Sequence, residues 1–188
     1  VAAAPSPTEP LRHEAPQQLA RYGLELRPSP AVGLAQPGLL GGAEVLITPE
    51  GGGLADALVA ELRRRDVRAR VCASPPADAC AVVFLGGLRA VDSVDAATAV
   101  QREAFAIARS VAGTMTTSGG LFVTVQDTGG AFGTSATAPE RAWLSGLPAL
   151  VKTASQEWPG ASLKAIDLER GGRTDAALAS VLADELLL

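Results

Sequence analysis

The chain is poor in the side chains on which most enzyme chemistry depends. Its 188 residues include one histidine, one tyrosine, one methionine and two cysteines, and aromatics make up only 4%. With so few imidazoles and thiols, a metal site of the usual nitrogen and sulfur ligands is not expected. Lysine is scarce too, at Lys152 and Lys164 only, and the formal net charge is -4 with a pI near 5.0. That balance argues against a nucleic-acid partner or an anionic membrane surface. The densest basic run, Arg63-Arg64-Arg65, reads as the solvated end of a helix rather than a phosphate patch. No apolar stretch approaches the length of a membrane span, and the Ala/Pro-rich start has no basic lead of a secretory signal. Cys72 and Cys80 lie eight apart around Pro75-Pro76. They could pair, but they read better as buried thiols of a reducing, cytoplasmic setting. The chain begins with Val1, which fits processing or excision, and it is expected to be a piece of something longer.

What is present has a clear order. Residues 1–40 form a linker and lead-in: a Pro/Ala stretch, then RYGLELRP with Tyr22, Leu24 and Leu26 on one face of a short strand, then a glycine-punctuated approach. The proline that follows confines this strand to an edge or to a neighbouring domain. Residues 41–188 read as one α/β domain. Strands are expected at AEVLIT, VRARVCA, CAVVFLGGL, 121–125 and LKAIDLE. Helices are expected at LADALVAELRRR, DAATAVQREAFAIARSVA, within 141–158, and after Thr174, which should cap the last one. In the helix within 141–158, Leu147, Val151, Ala154 and Trp158 form the inner face, with Pro148 placed in its first turn. Alternating strands and helices predict a truncated, Rossmann-like domain: a parallel sheet with helices on both faces. The last helix ends in Leu186-Leu187-Leu188, a run expected to need something to pack against.

The centre of the chain is GLFVTVQDTGGAFG, residues 120–133, an apolar strand followed by Gln126, Asp127 and a glycine loop. Ligands of open α/β sheets collect at such strand ends. The residues there offer little chemistry. Asp127 suits an Asx turn better than acid–base work, and Asp167 at the end of the last strand reads the same way. The first strand turns through Thr48-Pro49-Glu50-Gly51-Gly52-Gly53-Leu54, which meets only the opening of G-x-G-x-x-G and has Asp56 in place of the third glycine. Glu50 would stand beside any phosphate. The second strand ends Cys72-Ala73-Ser74, with no acid for a ribose hydroxyl. His13 and Tyr22 both precede the sheet. Ser118, Ser135 and Ser145 have no partner base, and Trp143 and Trp158 read as core or interface.

Three segments, VVFLGGL, FVTVQDTGGAFG and SGLPALVKTASQEWPGASLKAIDLE, resemble the ketoreductase region of type I polyketide synthases. The similarity is strongest to the iterative kind, including polyunsaturated-fatty-acid and enediyne synthases, and covers residues 20–188. The resemblance implies two successive Rossmann-like halves. One is a truncated structural subdomain without cofactor, and the other a catalytic subdomain that uses NADPH and carries Ser, Tyr and Lys or Asn. Here Gln126-Asp127 stands where the catalytic half has serines, residues 134–147 contain no tyrosine, and TPEGGGLA departs from the nucleotide turn. The structural half is therefore expected: no catalytic, cofactor-binding or metal residue, with NADPH held by the adjoining catalytic subdomain. Its expected partners are that subdomain and, indirectly, an acyl carrier protein. Two other readings remain open: a divergent short-chain reductase using Gly51–Gly53 and Asp127, and a docking or dimer-forming module with Trp143 or the terminal leucines at its interface.

Overall fold

A computed structural model of the chain describes residues 23, 25–29, 35, 39, 42–134 and 139–187. The apolar runs form five strands: β1 (Val45–Ile47), β2 (Ala69–Val71), β3 (Ala81–Gly87), β4 (Gly120–Gln126) and β5 (Ala161–Asp167). Between and after them lie α1 (Leu54–Arg64), α2 (Val94–Ser118), a short α3 (Pro139–Ala142), a 3-10 turn at Trp143–Ser145, α4 (Gly146–Glu157) and α5 (Asp175–Leu187). All pairings are parallel and the order is β2-β1-β3-β4-β5. This is the expected truncated Rossmann-like arrangement.

Buried on both sides, β3 and β4 are apolar without alternation, as central parallel strands must be. Their odd residues, Val83, Leu85, Leu121, Val123 and Val125, pack under α1 and α5. Their even residues, Val82, Phe84 and Phe122, pack under α2 and α4. Phe84 and Phe122 are fully buried, each contributing about 1.5–3 kcal/mol by removal from water. The rings of Trp158 and Phe122 meet edge to face at 5.8 Å and 86°. Trp158 is thus core, as are Leu147, Val151 and Ala154 beside it.

Four expectations need correction. Helix α2 does not stop near Ala112 but continues through Gly113 to Ser118. Buried Met115 holds the extra turns, and the hydroxyls of Thr116 and Thr117 donate to the carbonyls of Ala112 and Gly113, at 2.8 and 2.9 Å. The last strand begins at Ala161, two residues early. Cys80 is exposed and Cys72 half-buried, both as free thiols, because Cys80 sits in the turn before β3 and not within it. Leu186 and Leu187 find the packing surface expected for them: Leu186 is fully buried and Leu187 packs on the α1 side of the sheet. Leu188, His13, Tyr22, Leu24 and Ser135 lie outside the described residues. The expected lead-in strand is not seen: its described residues, Gly23 and residues 25–28, are exposed and not in a strand.

The arginine run behaves as a helix end. Arg65 joins Glu61 at 2.7 Å and Asp184 of α5 at 2.6 Å, and Arg64 joins Glu61. Side-chain hydrogen bonds from Arg64 first, then Arg65, hold the Glu61 carboxyl below its ordinary value. Thr174 caps α5 as expected, its Oγ1 accepting from Ala177 N–H at 3.3 Å.

Candidate functional site

With this strand order the topological switch point lies between β1 and β3, and a ligand crevice is expected outside their carboxyl ends. Among the described residues, side chains of the protein itself bond the strand ends there. Thr48, wholly buried at the end of β1, accepts from Leu85 N–H at 3.0 Å and ties the two strand ends together. Arg89, just past β3, donates to Pro49 O at 2.8 Å and is paired with Glu103 of α2. The hydrogen bond to Glu103 is the main reason the guanidinium holds its proton more tightly than usual.

Glu50, expected to stand beside any phosphate at the turn into α1, folds over the N–H groups of that turn. One carboxylate oxygen accepts from Gly52 and Leu54 N–H, both at 3.0 Å, and the other from Ala55 N–H at 3.1 Å. Glu50 is only 4% exposed, although α1 has no cap from its own N-cap residue, Gly53. A carboxylate thus sits at the positive end of the helix, the position an oxyanion would otherwise take. The glycines fit this arrangement, Gly51 through its φ of 93° and the other two through nearby carboxylates. A Cβ on Gly52 would come within 2.8 Å of Glu50 Oε1, and one on Gly53 within 2.9 Å of Asp175 Oδ2. Room for a pyrophosphate is not needed to account for the run.

At the ends of β4 and β5 the two aspartates are equally committed. Asp127 Oδ1 accepts from Gly129 N–H at 3.2 Å, the expected Asx turn, and Oδ2 accepts from Arg170 N–H at 3.2 Å. Asp167 accepts from Thr128 and Phe132 N–H, both at 2.6 Å, and pins the glycine loop to β5. Arg141 of α3 spans the gap above β3 and β4. Its fork donates to the carbonyls of Asp127 (2.8 Å), Arg89 (2.8 Å) and Gly87 (3.1 Å), with Asp127 Oδ2 3.8 Å away. Arg170 donates to Leu88 O at 3.3 Å and to Asp175 at 3.1 Å. Three arginines therefore satisfy the carbonyls leaving β1, β3 and β4.

Beneath this lid, Gln126 is fully buried on the α2/α4 side, and its amide has no hydrogen-bond partner. It occupies the place where the resemblance puts a serine. Trp143 is half-buried and accepts at its carbonyl from Gln101. Ser118 and Ser145 are exposed, and Ser145 Oγ donates to Ala142 O at 2.8 Å. Among the described residues no group of three His, Cys, Asp or Glu side chains could hold a metal ion, and no helix is long and apolar enough to cross a membrane. The sequence pattern pointed to Asp127, Asp167 and the glycine turn. It did not reveal Arg89, Arg141 and Arg170, each of which donates to a carbonyl 40 to 82 residues away.

No family model matches the chain, and no curated protein matches it. Among solved structures it is similar to a crystal structure of a short chain dehydrogenase from Mycobacterium smegmatis. The TM-score is 0.51 and the identity 16%, over 85% of this chain and 91% of that one. At that identity the likeness is one of fold, short-chain-dehydrogenase-like and Rossmann-like.

Proposed function

We propose that this short-chain-dehydrogenase-like domain is the structural, non-catalytic half of a ketoreductase region in a type I polyketide synthase of the iterative kind. It packs against a catalytic half and holds it in place relative to substrate on an acyl carrier protein. The parent reaction is NADPH-dependent reduction of a β-ketoacyl thioester to the β-hydroxyacyl form. The observation that carries the reading is the carboxylate of Glu50 on the α1 N-terminus. A pyrophosphate needs those N–H groups free, and here it would meet a buried anion instead. The residues present therefore do not fit NADPH, and no step is assigned to it in this domain.

The surrounding chemistry supports the same reading. Both carboxylates at the strand ends already accept two hydrogen bonds from backbone N–H groups, so neither is poised over an open site. Gln126 supplies an amide where the chemistry of the resembling catalytic halves uses a hydroxyl. An assay of the isolated chain with NADPH and a simple β-ketoacyl thioester is expected to give only the background rate. Turnover by the chain, abolished by Asp127→Asn, would overturn the proposal in favour of a divergent reductase.

A further inference from the structure

The sheet has two outer edges of different character. On one side β2 is three residues long and carries Arg70, ion-paired with Glu44 at 2.7 Å. On the other, β5 is seven residues long, without proline and without a register shift against β4. The ladder decides which of its groups face out. Leu168 N–H donates to Gln126 O at 2.8 Å, so Ser162, Lys164 and Ile166 turn to β4, and Leu163, Ala165 and Asp167 turn their N–H and C=O groups outward. Among the described residues no strand pairs with that edge. Edges of this length are ordinarily guarded by brevity, proline, bulges or an outward lysine. The one cation on β5, Lys164, is bent back onto α5, donating to Glu185 O at 2.8 Å and lying 2.6 Å from Glu185 Oε1. Beside the edge is a shallow cavity of about 230 Å³ lined by Phe132, Ala165, Ile166, Val181 and Leu182 among others, and Val181 is 42% exposed.

We propose that the β5 edge is a self-association surface, on which a second copy of this chain pairs its own β5 antiparallel about a two-fold axis at Ala165. The patch is self-complementary, as an isologous contact requires. Centring on Ala165 sets Leu163 of each copy opposite its partner's Asp167, so three outward N–H groups meet three outward carbonyls in each direction. Alanine on the axis lets the strands close without a clash. Lys164 and Glu185 are already joined, and Asp167, the other carboxylate of the patch, is held by Thr128 and Phe132 N–H and faces the partner copy's Leu163 rather than another charge. Both α5 helices lie on the same side of the joined ten-stranded sheet (five strands from each copy) and flank the axis, covering Val181.

Sedimentation equilibrium of the full chain, from micromolar to several hundred micromolar, tests the proposal. A monomer–dimer equilibrium is expected, weakened roughly tenfold or more by Ala165→Pro. Because Ala165 N–H points outward, proline there removes an edge donor and no bond to β4. Far-ultraviolet circular dichroism checks that the variant is folded, and Val181→Lys provides the same reading if it is not. Amide exchange at Ala165 should slow as concentration rises. A monomer at every concentration, or a dimer whose affinity neither variant changes, overturns the proposal.

Discussion

Removing the Glu50 carboxylate should destabilise the fold by an amount that follows from its three bonds. In Glu50→Ala the N–H groups of Gly52, Leu54 and Ala55 lose their acceptor at once. An orphaned buried donor costs about 1–3 kcal/mol. Gly51, Gly52 and Gly53 are exposed, however, so water can reach at least the first of the three. Losing a cap and the favourable anion at the helix dipole costs about 1 kcal/mol for each effect in other helices. Together these give a loss of about 2–4 kcal/mol. Glu50→Gln keeps one oxygen as acceptor but turns an NH₂ group toward one of the donors, and should lose about half as much. Urea unfolding followed by tryptophan fluorescence measures both, since buried Trp158 reports on the core. A Glu50→Ala midpoint unchanged within error, or a glutamine variant less stable than the alanine one, would refute the reasoning. The first result would mean that the carboxylate does not hold the turn, the second that the glutamine amide cannot replace any of its bonds.

Other predictions concern the lid and the core. Arg141→Ala should cost about 2–3 kcal/mol in urea unfolding because three carbonyls lose one planar fork, and Arg141→Lys should recover little of it, since an ammonium cannot reach all three. Trp158→Ala should cost about 3–5 kcal/mol and remove much of the near-ultraviolet circular dichroism, whereas half-buried Trp143→Ala should cost clearly less. The Glu61 carboxyl is held below its ordinary value of 4.5, so its pairing stabilises the fold above that value and is lost as pH falls through the lower, folded one. The difference in urea midpoint between the chain and Glu61→Gln should therefore shrink between about pH 6 and about pH 3. A difference that grows on acidification would contradict that sign.

The parts legible in the sequence are those governed by local pattern. Continuous apolar runs placed β3 and β4, and the spacing of Leu54, Leu58 and Leu62 placed α1, because burial on both faces or on one stripe leaves a periodic trace. Asp127 followed by Thr-Gly-Gly announced its Asx turn for the same reason. Gly113 misled, since a glycine inside a helix reads as a stop, while the burial of Met115 that carries α2 past it depends on the sheet below. Glu50 was legible as a charge but not as a cap: its reach to Leu54 and Ala55 depends on how the glycine turn folds. Arg141 and Arg170 left no local signal, because what they satisfy are carbonyls brought near only by strand order.

The central proposal is that the α1 N-terminus, already held by the Glu50 carboxylate, takes no dinucleotide. Isothermal titration of the full chain with NADPH tests it most directly. The account predicts no heat of binding up to millimolar cofactor; micromolar affinity for the chain alone would contradict it.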